Sequence, residues 1–131
     1  MTEPVWIRVE AVLAIHGELL ARFGGLAGIR DEGLLLSALK RPEHLLRYGE
    51  PDLFDLAAAY AEGIVKNHPF VDGNKRAGFM AAYTFLGVNG QQLEAPEAEA
   101  VLQTLDLAAG TIGAAEFSAW LRQSCVARDG E

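Results

Sequence analysis

Apolar side chains recur along this chain at helical spacing. Val9, Val12, Leu13, His16, Leu19, Leu20 and Phe23 share one stripe, which predicts a first helix over 8–23 that Gly24-Gly25 stops. Asp31 is a good N-cap for a second helix over 32–40. It would bury Leu34, Leu35, Ala38 and Leu39 and end before Pro42, because the residue ahead of a proline disfavours helix. A connector follows, with Leu45, Leu46 and Tyr48 tucked against the core and Gly49-Glu50-Pro51 as a turn. Asp52, with Asp55 in the first turn, caps a third helix through Leu56, Ala59, Tyr60, Gly63 and Ile64 to about Asn67. Pro69 and the Asp72-Gly73 turn then interrupt the chain. In the fourth helix, over 74–86, Phe79, Met80, Ala81, Ala82, Tyr83, Phe85 and Leu86 leave almost no polar face, the pattern of a surrounded helix. Val88-Asn89-Gly90 closes it, Pro96 opens a fifth helix that Gly110 ends, and a sixth runs over 114–127. With no alternating strand pattern, the chain reads as all-α. The expectation is a single domain over 1–131, a compact bundle of about six helices around a buried fourth one, free of repeats and linkers.

Composition narrows the picture. Half of the 131 residues are apolar and 22% are charged, which excludes disorder and permits one core without staples. The lone Cys125 has no internal disulfide partner, and residues 1–10 carry no basic-then-apolar leader, so a reducing cytosol is the expected compartment. Glu62, Lys66 and Arg76 break every apolar run before the ~20 residues that span a bilayer, so no membrane association is expected. Eleven basic against 18 acidic residues leave a net charge of −7, which argues against direct nucleic-acid binding but not against a local basic site.

The chemistry concentrates in His68-Pro69-Phe70-Val71-Asp72-Gly73-Asn74-Lys75-Arg76. The first turn of a helix offers unpaired N–H groups and the positive end of its dipole, a preformed anion site that Lys75 and Arg76 strengthen. Gly73 lets the backbone approach a ligand closely, and Asn74 can cap the helix or donate to an oxyanion. Asp72 would repel a phosphate unless a cation lies between them, and magnesium meets that need with one carboxylate, phosphate oxygens and water. The His68 imidazole, with an ordinary pKa near ~6.5, suits a general base. Phe70 would anchor the loop so that His68 and Asp72 face outward. The set reads as group transfer from a nucleoside triphosphate to a hydroxyl. A plain helix–turn–helix connection built from capping residues explains any one of these residues; their convergence on one ligand type favours the phosphate site.

The segment resembles the motif of the Fic/Doc superfamily, H-P-F-x-[D/E]-G-N-G-R-x-x-R in the Fic branch and H-x-F-x-D-x-N-K-R in the death-on-curing (Doc) branch. Gly24-Gly25-Leu26-Ala27-Gly28-Ile29-Arg30-Asp31, Asp52-Leu53-Phe54 and Asn89-Gly90 are similar to Doc-type sequence as well. Lys75 stands where Fic enzymes carry glycine and Phe79 where they carry a second arginine, so adenylylation is disfavoured. The resemblance implies an all-α fold with the motif on a loop leading into the central helix. It implies a Doc-type toxin of a bacterial toxin–antitoxin pair that transfers the terminal phosphoryl group of ATP to a Ser/Thr hydroxyl of a translation factor, elongation factor Tu, and stops translation. His68 would be the general base and Asp72 the Mg2+ ligand; Gly73, Asn74, Lys75 and Arg76 would surround the phosphates, with Lys75 and Arg76 assisting the transfer. A cognate antitoxin would fold an amphipathic segment into a groove near the loop. Met80 stands where the founding Doc toxin carries a polar Asn. Two other readings stay open: a Fic-type nucleotidyl (AMP) transferase, and a silent member that only binds a partner.

Elsewhere, His16 on the first apolar stripe reads as a hydrogen-bonded core residue, and His44 lies in the connector without a partner pattern. No His, Cys or carboxylate pairs show structural-zinc spacing. Trp6 and Trp120 would cover the bundle, and Cys125 has only Arg122 and Arg128 nearby to activate it. Arg30-Asp31 reads either as a helix cap with a surface charge or as part of a flap that positions a target segment beside the site.

Overall fold

The computed structural model describes residues 2–128; Met1 and residues 129–131, the ends of the predicted domain, lie outside the described residues. The elements follow in the order α1 (Val9–Phe23), α2 (Glu32–Tyr48), α3 (Leu53–Asn67), α4 (Asn74–Val88), β1 (Gln91–Leu93), α5 (Glu97–Ala109), α6 (Ala114–Ser124) and β2 (Cys125–Ala127). The all-α expectation holds, with one two-stranded ribbon added. Among the described residues no helix is long and apolar enough to cross a membrane.

α4 is central, packed on α1, α3, α5 and β1, and α3 shares that centre, packed on α2, α4, α5 and α6. Small residues let the two helices approach closely: Ala57, Ala58, Ala61, Ala77, Ala81 and Ala82 are all buried. At Gly78 a Cβ would lie 2.7 Å from Val65 Cγ1 and 3.1 Å from the Ala61 carbonyl oxygen, so any side chain there would force the two helices to shift. Around this seam sit Tyr60, Phe85 and Phe117, all fully buried. The Tyr60 hydroxyl accepts from the Ile7 N–H at 3.1 Å, and burial pushes its pKa up to about 12. Trp6 stacks on Phe85 at 6.1 Å, and Trp120 packs against Phe117 while donating to Glu99 at 2.6 Å. Trp6 thus covers the bundle half-buried, whereas Trp120 belongs to its buried core.

Two expectations fail, each for a tertiary reason. The second helix does not stop before Pro42 but runs on to Tyr48, taking in His44, which meets the Tyr48 ring edge-on. Pro42 has no N–H for the Ala38 carbonyl. That oxygen faces α3 at Gly63, where a Cβ would come within 3.0 Å of it. Burial of Pro42 and the 2.7 Å Arg41–Glu62 ion pair hold this half of the helix to α3. Within it Leu46 packs on the core, but Leu45 is exposed and Tyr48 is 81% exposed, so these two do not tuck in. The sixth helix ends at Ser124 rather than 127, because residues 125–127 pair antiparallel with β1 in the register Gln91↔Ala127, Gln92↔Val126, Leu93↔Cys125. A three-residue strand has too few positions to show alternation, and its partner lies more than 30 residues away.

Candidate active site

α3 ends in a left-handed turn. His68, its C-cap, has φ 51° and ψ 54°, the only positive φ at a non-glycine position among the described residues. Such a conformation costs ~1–3 kcal/mol and persists where surrounding contacts hold it. Two residues on, Phe70 is buried to 1% exposure, and it is held from two sides. Asn74 Oδ1 accepts from the Phe70 N–H at 2.9 Å while its Nδ2 donates to the Phe70 carbonyl at 3.0 Å. The same Nδ2 lies 3.3 Å from His68 Nδ1. From α1, His16 stacks on Phe70 with centroids 3.8 Å apart, and its Nε2–H donates to the Asp72 carbonyl at 2.8 Å. The core reading of His16 holds, and the loop is pinned at Phe70 so that His68 and Asp72 stay exposed.

The segment after α1 forms a strap along this loop. Gly24, Gly25 and Gly28 all have positive φ, and Ile29 bridges Phe70. The Val71 N–H donates to Gly28 O at 3.0 Å, and the Arg30 and Asp31 N–H groups donate to Pro69 O at 2.7 and 3.1 Å. Asp31 also N-caps α2 through the Leu34 N–H, so cap and strap coexist at the Arg30-Asp31 pair. Asp72 Oδ2 accepts from the Leu26 N–H at 3.1 Å and Oδ1 from the Gly73 N–H at 2.9 Å. A Cβ on Gly25 would sit 2.9 Å from Asp72 Oδ2, which fixes how close the strap comes.

α4 starts at Gly73, whose φ of 78° brings the chain into the helix without a side-chain cap and with no acid in the first turn. Its first N–H groups therefore remain available to an anion. Lys75 and Arg76 are exposed there and join no ion pair among the described residues. The Arg76 guanidinium lies over the Phe23 ring at 4.3 Å, a cation–π contact that holds it beside the loop. Asn74 is 6% exposed and its side chain is committed inward, so what it offers a phosphate is its backbone N–H.

His68, Asp72, Gly73, Asn74, Lys75 and Arg76 all line one cavity of about 590 Å³ between the loop, the end of α1, the start of α4 and α5. Leu19, Phe23, Phe79, Met80, Val101 and Leu105 supply its apolar wall, and Glu97 and Thr104 its remaining polar groups. Met80 thus lies in the cavity rather than in the core. Among the described residues no three His, Cys, Asp or Glu side chains come together as a metal cage. Among the described residues the exposed Asp72 carboxylate accepts one N–H bond on each oxygen and keeps lone pairs free, which fits a hard cation that takes its other ligands from phosphate and water.

A profile of the Fic/DOC family matches residues 6–86, the span from before α1 to within α4. The Protein kinase doc of Escherichia phage P1 is 34% identical over 110 residues, covering 83% of this chain and 81% of that protein. The chain belongs to the Fic/Doc family. The Toxin Doc of Mycolicibacterium smegmatis is 49% identical over 76 residues, a stretch covering 56% of this chain and 58% of that protein. Both relatives carry Doc names, which places the chain on the death-on-curing side of the Fic/Doc superfamily. The profile takes in the strap and the loop but stops before α5, the far wall of the cavity.

Several contributors were not singled out from sequence as site residues. Phe23 reads there as the last core residue of a helical stripe, yet it is 54% exposed and carries Arg76. Leu19, Glu97, Val101, Thr104 and Leu105 reach the cavity from α1 and α5, which no local motif connects to the loop. Cys125 is half-buried, and burial pushes its thiol up to about 11, against any nucleophilic role.

Proposed function

We propose that this chain is the toxin of a bacterial toxin–antitoxin pair and that it moves the terminal phosphoryl group of ATP onto a Ser or Thr hydroxyl of a translation factor, elongation factor Tu being the expected acceptor. The observation that carries this reading is the convergence on one cavity of an exposed imidazole, an exposed carboxylate and a basic helix N-terminus. The names of its relatives, a toxin and a protein kinase, point the same way.

In this reading His68 takes the proton of the acceptor hydroxyl, the acceptor oxygen bonds to the γ phosphorus, and the bond from that phosphorus to the β–γ bridging oxygen breaks to release ADP. Lys75, Arg76 and the first-turn N–H groups of α4 oppose the charge on the transferring group, and they do so without reorganising. Asp72 would hold Mg2+ with the nucleotide, and that ion would neutralise part of the phosphate charge. Arg76 is steadied by Phe23, and Asn74 keeps the imidazole and loop in register. The antitoxin segment would cover the apolar rim beside the loop, where Phe23, Leu26, Ile29 and Val71 are 54%, 68%, 41% and 47% exposed.

Induced expression in a permissive bacterial host tests the toxin reading. Growth and amino-acid incorporation should stop with the native chain and continue with His68→Ala at equal protein level. Undisturbed growth with the native chain accumulating in folded form contradicts it.

A further inference from the structure

The carbonyl oxygens of three consecutive residues at the end of α3 are all taken by the strap. Arg30 Nη2 donates to Asn67 O at 2.8 Å, Arg30 Nε donates to His68 O at 2.6 Å, and the N–H groups of Arg30 and Asp31 share Pro69 O. A guanidinium suits this place, since its fixed fork reaches two carbonyls at once and its charge meets the negative end of the α3 dipole. Between these carbonyls lies His68, held at φ 51°. Asn74 restrains its imidazole from the inner side, and nothing but Arg30 bonds its peptide oxygen from the outer side among the described residues. Arg30 does not line the cavity.

We propose that Arg30 is a positioning residue for His68. It clamps the backbone of residues 67 and 68 in the left-handed turn that delivers the imidazole to the cavity, and it contacts neither the nucleotide nor the acceptor. The proposal rests on the reading of His68 as the base. It gives the strap a task inside the molecule, where a target-positioning flap would act on the acceptor and so on its affinity.

The test uses isotope-labelled full chain, native and with Arg30→Ala or Arg30→Lys, and reads the His68 Cα and Cβ chemical shifts, which report the left-handed backbone. In Arg30→Ala these shifts should leave their left-handed values while the Tm of the bundle changes little. Arg30→Lys, or methylguanidinium added to Arg30→Ala, should restore them in part. Transfer from γ-labelled ATP to elongation factor Tu should fall ~10- to 100-fold in kcat, with KM for ATP and acceptor unchanged, as expected for a displaced base. Unmoved His68 shifts in Arg30→Ala overturn the clamp whether or not that factor is the acceptor. A raised acceptor KM at native kcat also overturns it, in favour of a target-binding flap. His68→Ala separates the two readings: surviving transfer in that variant removes the base assignment, while the shifts still decide the clamp.

Discussion

The His16 imidazole lies flat on the Phe70 ring, 3.8 Å between centroids and 8° from parallel, and its Nε2–H bonds the Asp72 carbonyl. One buried side chain of α1 thus supports both the anchor of the loop and the residue expected to bind the metal. His16→Ala removes stack and hydrogen bond together and should cost about 2–4 kcal/mol in denaturant unfolding. His16→Phe keeps the stack and should cost about 1 kcal/mol. Both should weaken magnesium-dependent ATP binding measured by calorimetry, His16→Ala the more strongly.

Gly25 and Gly17 make a paired prediction. Alanine at Gly25 meets Asp72 Oδ2 at 2.9 Å and Leu20 Cδ2 at 3.1 Å, at a φ of 119° that alanine rarely adopts. Gly25→Ala should displace the Asp72 carboxylate and lower the affinity for Mg-ATP at least tenfold. Gly17, in the middle of α1, has nothing within 4 Å of such a Cβ. Gly17→Ala should raise stability by about 1 kcal/mol and leave ATP affinity as it is.

Gly78→Ala drives a methyl against Val65 and the Ala61 carbonyl at the α3–α4 seam. Overpacking of this kind costs ~1–3 kcal/mol. Because His68 and Asn74 sit together at the loop end of this seam, activity should fall further than stability alone accounts for, compared at equal folded fraction.

Much of this arrangement is legible in sequence where the signal is local. The stripe over 8–23, the Asp52 cap, the His68-Pro69 stop and the Gly73 start each lie within one turn of the residues they act on, and the ends of α1 and α3 and the start of α4 follow. The six expected site residues share a cavity because they share a loop and a helix turn. Pro42 misleads because burial against α3 outweighs a local preference. β1 and β2 escape because their pairing is non-local and each is three residues long. The inward turn of Asn74 is invisible for a related reason: it depends on where the Phe70 peptide lies in space. His16, Phe23 and α5 complete the site through tertiary packing that no spacing rule records.

Arg122 gives a pH prediction. Partial burial lifts the Asp52 carboxyl, but hydrogen bonds from Arg122 and the Asp55 N–H, with the Arg122 charge, outweigh it and hold the pKa below its ordinary 3.8. A carboxylate depressed in the folded state adds stability that is present above its unfolded pKa and lost as pH falls through the folded one. Arg122→Ala should therefore lower Tm at pH 7, and the difference from the native chain should shrink as pH drops below about 4. The pair is about 45% exposed, so added salt should also narrow the gap.

The most direct test of the phosphoryl-transfer reading is incubation of the purified chain with magnesium, elongation factor Tu and ATP labelled at either the α or the γ phosphate, beside His68→Ala. Label retained on the acceptor from the γ position alone, and lost with His68→Ala, is the predicted result. Label retained from the α position would contradict it, assigning this site to nucleotidyl transfer in spite of Lys75.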